Sequence, residues 1–110
     1  MAKTPRGTET AIPPASVAKQ AGKGLALRDE FGRGGTQVGV GRARQLQDRR
    51  PVDVATMKKM RAYFARHNVD KRGKGWADEK QPSAGYIAWL LWGGEEGRSW
   101  VEKELAKTES

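Results

Sequence analysis

The stretch Pro82-Ser83-Ala84-Gly85-Tyr86-Ile87-Ala88-Trp89-Leu90-Leu91-Trp92-Gly93-Gly94-Glu95-Glu96-Gly97-Arg98-Ser99-Trp100 decides the fold of this chain. It contains three of the four tryptophans and lies near the end of a sequence that is otherwise polar and strongly basic. Large aromatic side chains supply much of the burial free energy that is available to a small domain. Since the mean hydropathy is −0.80, the chain folds only if these rings pack together with its few other apolar stripes, and we predict the core here.

The length of 110 residues is that of one domain. The first residues lack apolar periodicity, which predicts a flexible tail over residues 1–13 and a single helical domain over residues 14–107. The chain has no cysteine, which excludes disulfides and thiolate metal sites. The longest apolar stretch, Tyr86 to Trp92, is far shorter than the roughly 20 residues that a bilayer span requires, so we expect no membrane partner.

The formal net charge of +8 is unevenly distributed along the chain. Residues 16–52 contain eight Lys/Arg and three Asp/Glu, whereas residues 53–110 contain eleven and nine. A pI near 10.1 with the excess gathered in one section is typical of proteins that bind nucleic acid or another acidic surface. Solubility alone is the alternative explanation, because net charge bears on association rather than on fold.

Hydrophobic periodicity predicts five helices and no β-strand pattern, which places the chain in the all-α class. The helices are expected at about residues 16–31, 37–47, 54–68, 84–92 and 95–107. Their predicted N-caps, for the first four in turn, are Ser16, Thr36, Asp53 and Ser83. Residues 69–81 are expected to form a long surface loop pinned by Trp76.

Two glycines interrupt the first predicted helix. Gly22 and Gly24 each destabilise it by ~1 kcal/mol relative to alanine, so this helix needs tertiary packing or a close neighbour at that point. Gly93 and Gly94 are expected to end the fourth helix by supplying a left-handed residue. The core residues that we predict are Trp89, Trp92, Trp100, Leu90, Leu91, Phe64, Met57 and Leu25.

The turn Gly32-Arg33-Gly34-Gly35-Thr36 opens the second helix within the most basic section. Its free backbone N–H groups, the positive helix end and Arg33 together suit a phosphate, which makes it a candidate contact for a DNA or RNA backbone. It lacks the Gly-Lys-Ser/Thr ending of a Walker A loop, and no strand precedes it as in a Rossmann turn. A flexible connection with an ordinary cap is the alternative interpretation.

The segment Val38-Gly39-Val40-Gly41-Arg42-Ala43-Arg44-Gln45-Leu46 resembles the Gly-hydrophobic-Gly turn of helix-hairpin-helix DNA-binding motifs. The amides of such a turn bind a phosphate. The same nine residues are also compatible with a continuous helix, and both interpretations stay open at this point.

His67 is the only histidine, and without a cysteine or a second histidine it does not anchor a transition-metal site. As a general base it lacks an orienting partner, so we expect it at the end of the third helix, where a protonated imidazole interacts favourably with the dipole. No set of nucleophile, base and orienting group can be assembled, so we expect no catalysis, metal or cofactor. Lys71 to Trp76 interleaves basic groups with an aromatic ring, as nucleic-acid-binding loops do, although anchoring of Trp76 in the core is the interpretation that we favour.

Four segments carry a further similarity: Gly34-Gly35-Thr36 through Arg42-Ala43-Arg44; Tyr63-Phe64-Ala65-Arg66-His67 with Val69-Asp70-Lys71; Pro82 to Gly94; and Gly97-Arg98-Ser99-Trp100. Together they resemble a small domain encoded by tailed bacteriophages and prophages, as a short stand-alone protein or attached to head-morphogenesis proteins. The similarity spans about residues 13–105. It implies a phage origin and a setting in the virion or the infected host, with no active site to transfer.

These observations predict a non-catalytic protein that binds DNA mainly through phosphates, in virion assembly or host takeover, located in the host cytoplasm or the virion. The alternative is a protein-interaction role, as a virion component or an inhibitor that docks on a host enzyme. The candidate nucleic-acid-binding residues are Arg33, Gly34, Gly35, Thr36, Arg42, Arg44, Arg49, Arg50, Lys71, Arg72 and Lys74.

Overall fold

Five α-helices form most of the computed structural model, which describes residues 9–109. Their bounds are α1 Ala15–Phe31, α2 Gln37–Gln47, α3 Val54–His67, α4 Ala84–Leu91 and α5 Gly94–Glu109. A short 3₁₀ helix, Asn68–Arg72, continues α3, and two-residue strands lie at Thr10–Ala11 (β1) and Val52–Asp53 (β2). The all-α prediction is confirmed.

The strands β1 and β2 tie the start of the described chain to the start of α3. They pair antiparallel, with Thr10 opposite Asp53, and the Val54 amide donates to the Glu9 carbonyl at 3.2 Å. Pro13 is fully buried, and its carbonyl accepts a hydrogen bond from Arg49 Nε at 2.8 Å. The prediction of a flexible tail is therefore wrong for residues 9–13, because a two-residue strand is too short to show a periodicity. Residues 1–8 of the predicted tail lie outside the described part of the chain.

Three predicted N-caps are confirmed by hydrogen bonds to helix amides. Thr36 Oγ1 accepts from Gly39 N at 3.3 Å, Asp53 Oδ1 from Thr56 N at 2.7 Å, and Ser83 Oγ from Tyr86 N at 3.0 Å. The remaining predicted N-cap, Ser16, is wrong. Helix α1 begins at Ala15, and its N-cap is Pro14, which has no side-chain hydrogen bond. Ser16 thus lies inside the first turn.

Helices α1 and α4 cross at very short range, and the glycines of α1 permit this. A Cβ atom on Gly24 would lie 2.8 Å from Leu91 N and 2.9 Å from Leu90 Cβ. One on Gly22 would lie 2.9 Å from Gln47 Nε2 at the end of α2. The close neighbour expected from the sequence is therefore the backbone of α4.

Trp89 lies at the centre of the aromatic core. Its side chain is buried, with ring centroids 4.9 Å from Phe64 and 5.5 Å from Trp76, which confirms Trp76 as the anchor of the loop after α3. Two predicted core residues, Leu25 and Trp92, are only half-buried and pack on the edge of the core. The other six are buried, together with side chains that include Val17, Leu46, Met60, Ile87 and Leu105.

The chain reverses between α4 and α5 over two glycines. Gly93 and Gly94 have φ angles of 108° and 63°, in the left-handed region that favours glycine, so the predicted end of the fourth helix is confirmed. A Cβ atom on Gly97 would lie 2.8 Å from the Trp92 carbonyl oxygen, which allows α5 to fold back closely. Within residues 9–109, no helix is both long and apolar enough to cross a membrane.

Candidate nucleic-acid interface

Positive charge is concentrated on α2, α3 and the segment between them. Residues 36–67 contain eight Lys/Arg and only two Asp/Glu, and both acids are engaged. Asp48 Oδ2 lies 3.7 Å from Arg50 Nε, and Asp53 caps α3. Hydrogen bonds from Thr56 hold the pKa of Asp53 below its usual value. The remaining cations of this segment give it a strong positive excess.

Acids and bases beyond residue 67 instead neutralise one another. Residues 68–110 contain seven Lys/Arg and eight Asp/Glu, and they form ion pairs on α5 and beside it. Lys71 Nζ lies 2.6 Å from Glu95 Oε2, and Arg98 Nε lies 3.6 Å from Glu102 Oε2. The excess charge seen in the sequence therefore belongs to the half of the molecule that contains α2 and α3.

The predicted phosphate turn packs against α4. Gly34 and Gly35 have φ angles of 102° and 78°, and Cβ atoms there would lie 2.6 Å from Ile87 Cβ and 2.5 Å from Leu91 Cδ1. These glycines are therefore explained by turn geometry and by close packing. Gly35 and Thr36 remain exposed at the start of α2, where the first helix amides have no intrahelical acceptor.

Helix α2 is continuous from Gln37 to Gln47, through Gly39 and Gly41. The helix-hairpin-helix interpretation of Val38 to Leu46 is therefore wrong, and the continuous helix is the structure that these residues adopt. Gly39 is buried beside Trp92, with a Cβ atom there 3.3 Å from Trp92 Nε1, while a Cβ atom on Gly41 would meet nothing within 4 Å. Only the first of these glycines is required by packing.

The predicted cations Arg33, Lys71, Arg72 and Lys74 lie in different surroundings. Arg33 and Lys74 line one open cavity of about 570 Å³ together with Asp78, and Arg33 Nε donates to the Pro82 carbonyl at 3.1 Å. Lys71 instead pairs with Glu95, and its Nζ lies 4.7 Å from the centroid of a core tryptophan ring. Arg72 is exposed at the end of the 3₁₀ helix.

Arg42 and Arg44 lie on different sides of α2, because a separation of two residues corresponds to about 200° around a helix. Arg44 is exposed. Arg42 is half-buried, donates to Gln45 Oε1, and places its guanidinium carbon 5.7 Å from the Trp92 ring centroid. Burial lowers its pKa, and its Nε is buried without a hydrogen-bond partner. The structure thus does not bring Arg33, Arg42 and Arg44 onto one face.

Arg49 and Arg50 form an exposed turn just before α3. Arg49 adopts a φ of 52°, and its Nε is fixed to the Pro13 carbonyl at 2.8 Å. Arg50 is exposed, and its Nε lies 3.7 Å from Asp48 Oδ2. Lys58, Lys59 and Arg66 are exposed cations of α3, and we use the name basic face for the set Arg49, Arg50, Lys58, Lys59 and Arg66.

A column of stacked groups runs from Arg42 across α4 to the end of α3. Trp92 stacks on Tyr63 with centroids 4.6 Å apart and planes at 10°, and Tyr63 stacks on His67 at 4.5 Å and 29°. Arg42 covers the Trp92 end, and Asp70 Oδ2 lies 3.1 Å from His67 Nδ1 at the other. The column orients the imidazole, whose side chain is 37% exposed.

Tyr63 is the buried centre of this column, with 7% of its surface exposed. Its hydroxyl group is buried and has no hydrogen-bond partner. Burial raises the pKa of Tyr63, and the negative charge of Asp70 acts in the same direction, so the group stays protonated. An unpaired buried hydroxyl costs ~1–3 kcal/mol of stability.

A groove of about 400 Å³ opens between the start of α2 and the end of α3. Thr36 and Val38 form one wall, and Tyr63, Arg66 and His67 form the other. The remaining lining residues are Gly35, Asp70, Ala84, Gly85, Ala88 and Trp92. This combination of aromatic, aliphatic and cationic groups lies next to the basic face, because Arg66 belongs to both.

Sequence reasoning missed the partner of His67, and it did not anticipate the aromatic column. Asp70 follows in the 3₁₀ helix, and Tyr63 precedes His67 by one helical turn, so the spacings i+3 and i−4 were the available signals. Within residues 9–109 the His67 ring has hydrogen bonds only with Asp70 and, at 3.5 Å, with Arg66. In the same range no three His, Cys, Asp or Glu side chains are grouped to hold a metal ion.

Comparison with protein family models, with curated proteins and with solved structures finds no match to this chain. Its function is therefore inferred from the charges, rings and cavities described above.

Proposed function

We propose that this protein is a non-catalytic nucleic-acid-binding protein that contacts DNA mainly through phosphates. One observation supports this above all: residues 36–67 contain eight Lys/Arg and two acids that are already engaged, whereas residues 68–110 contain seven Lys/Arg and eight Asp/Glu. The basic face (Arg49, Arg50, Lys58, Lys59 and Arg66) is the surface that we assign to the phosphates. It includes Arg49 and Arg50 from the set expected from the sequence and adds Lys58, Lys59 and Arg66 of α3.

Exposed cations on a helix suit this role because phosphate contacts release condensed counterions from the nucleic acid. The resulting affinity is largely independent of sequence and falls steeply with salt. Lys58 and Lys59 lie in the second turn of α3, Arg50 lies four residues before the helix begins, and all three side chains are exposed. The proposed setting is virion assembly or host takeover by a tailed phage, which rests on the resemblance of four segments to a phage-encoded domain.

The test is a titration of fluorescently labelled duplex DNA, followed by anisotropy, over a range of salt concentrations. The triple variant Arg50→Ala, Lys58→Ala, Lys59→Ala should bind more weakly, and its salt slope should fall by ~0.9 for each phosphate contact removed. The matched control is Lys19→Ala, Lys80→Ala, Lys103→Ala, which removes three exposed cations elsewhere and should leave the slope nearly unchanged. Equal losses in both triple variants, or no binding by the parent protein at low salt, would contradict the proposal.

A protein-interaction role is the second candidate, and it is favoured by two exposed aliphatic side chains. Val38 is 64% exposed beside the groove, and Val69 is 61% exposed after the end of α3. A protein partner would give a saturable complex of fixed stoichiometry with a small salt dependence. Binding of a candidate partner protein to the immobilised chain, measured over the same range of salt concentrations, distinguishes protein interaction from phosphate binding.

A further inference from the structure

The aromatic column ends in the imidazole ring of His67, which is partly exposed to solvent. Tyr63 and Trp92 are covered on both sides, Tyr63 by Trp92 and His67, and Trp92 by Tyr63 and Arg42. Among the aromatic rings of residues 9–109, only Tyr63 stacks on His67. The His67 side chain is 37% exposed, so part of its ring is available to a planar group, and the groove of about 400 Å³ runs along the column, lined by His67, Tyr63 and Trp92.

Polar groups converge on the same groove. Thr36, Arg66, His67 and Asp70 line it. These groups provide both donors and acceptors, as the edge of a nucleobase does. Val38 and Ala88 add aliphatic surface of the kind that packs against the flat face of a base.

Arg66 lines the groove, and a second exposed cation, Lys59, precedes it on α3. Lys59 and Arg66 are seven residues apart, which places them on nearly the same side of the helix and roughly 10 Å from each other. A base in the groove would therefore have two cations of α3 available for its neighbouring phosphates. A base paired and stacked within a duplex cannot enter, because its faces are covered by its neighbours.

We propose that the groove between α2 and α3 binds an unstacked nucleobase, so that the protein prefers single-stranded DNA to duplex DNA. This inference rests on the proposed function, since the basic face supplies the phosphate contacts. The base stacks on the exposed part of the His67 ring, and the groove walls contact its edge. Removal of one stacking platform typically weakens single-strand binding by roughly 5- to 150-fold.

The experiment compares a labelled oligo(dT) strand with a duplex of the same length, using anisotropy titrations at one low salt concentration. The parent protein should bind the strand more tightly. His67→Ala should weaken strand binding at least ~5-fold and change duplex binding less than ~2-fold, while His67→Phe, which keeps a ring, should retain the strand preference. Because His67 is half-exposed, circular dichroism should show an unchanged helix content in both variants.

A second pair of variants tests the groove without touching the column. Val38→Asp places a carboxylate at the groove wall and should reduce strand binding, whereas Val38→Gln, of similar polarity but uncharged, should not reduce it as much. Val38 is exposed, so neither change should affect folding.

The outcomes separate the two proposals. If the parent binds strand and duplex equally and His67→Ala alters neither, the groove inference is wrong while phosphate binding by the basic face stands. If the parent binds neither at low salt, the proposed function fails, and the groove inference fails with it. If His67→Ala and Val38→Asp weaken binding of a labelled Asp/Glu-rich peptide and leave oligo(dT) unchanged, the groove binds acidic protein segments, and the nucleobase assignment is overturned.

Discussion

The half of the molecule formed by α4 and α5 pairs its charges, whereas the half formed by α2 and α3 carries an excess of cations. Residues 68–110 contain nearly equal numbers of acids and bases, and residues 36–67 contain four bases for every acid. The aromatic rings where α4 meets these two regions differ as well. Trp89 is 1% exposed in the core, and Trp92, one helical turn later, is half-buried and stacks on Tyr63 of α3 beside Arg42 of α2. Burial of rings thus stabilises the fold around Trp89, and the unbalanced charge lies on the side of α2 and α3.

The largest expected effect in this comparison is on stability. Trp89→Ala should lower the free energy of unfolding by ~3–5 kcal/mol, because it replaces a fully buried ring with a cavity. Trp92→Ala should cost clearly less, since part of its ring already contacts water. Urea unfolding followed by circular dichroism measures both. Equal losses would show that the aromatic column is as important for folding as the core, and the distinction between the two halves would disappear.

The next effect compares a glycine that is needed with one that is not. Gly24→Ala should destabilise the protein by ~1–3 kcal/mol through overpacking, because its Cβ would lie 2.8 Å from the backbone of α4. Gly41→Ala, on the exposed side of α2 with nothing within 4 Å, should stabilise it by ~0.5–1 kcal/mol. Thermal unfolding of both variants shows directly whether each substitution stabilises or destabilises the protein. A stabilising Gly24→Ala would mean that α1 and α4 separate easily.

The fold was largely predictable because its signals are local. Apolar side chains at helical spacing and polar caps determine where each helix begins and ends, and the observed bounds differ from the predicted ones by two residues at most in all five. Ser16 failed as a cap because Pro14 already starts α1. The strands β1 and β2 were not predictable, since their pairing joins residues some forty positions apart and leaves no pattern in either segment.

The candidate site was predictable only as a charge excess. Which cations share a face depends on how α2, α3 and α4 pack. Arg42 is half-buried because it packs against Trp92, a residue fifty positions further along the chain. The contact between Trp92 and Tyr63 depends on the same packing. Only the pairs within α3 and the 3₁₀ helix, Tyr63 with His67 and His67 with Asp70, had spacings that sequence alone could have revealed.

A smaller effect, which depends on pH, is expected at the cap of α3. Asp53→Ala should cost ~0.5–2 kcal/mol at pH 7. Hydrogen bonds from Thr56 lower the pKa of Asp53 in the folded state, so the stability that comes from its charge is present above the unfolded pKa of about 3.8 and is lost as the pH falls through the lower folded value. The difference between parent and variant should therefore shrink below about pH 4.

The cap of α4 serves as the control, because Ser83 makes the same kind of hydrogen bond through a hydroxyl that does not ionise. Ser83→Ala should cost a similar amount at pH 7 and at acid pH. Urea unfolding at both pH values tests the pair. A pH-independent cost for Asp53→Ala would show that its charge contributes nothing to the cap.

The smallest expected effect on stability provides the sharpest test of the two halves. Lys59 in α3 and Lys103 in α5 are both exposed lysines inside helices, so Lys59→Ala and Lys103→Ala should each change the free energy of unfolding by no more than about 0.5 kcal/mol. Both remove one positive charge, and a long-range attraction set by net charge alone would make their DNA binding equal. Direct phosphate contact predicts a difference: Lys59→Ala should lower the duplex salt slope by ~0.9, and Lys103→Ala, which lies among the acids of α5, should leave it unchanged. If the two slopes are the same, the positive excess of residues 36–67 acts only through the overall field, and the basic face is not a binding surface.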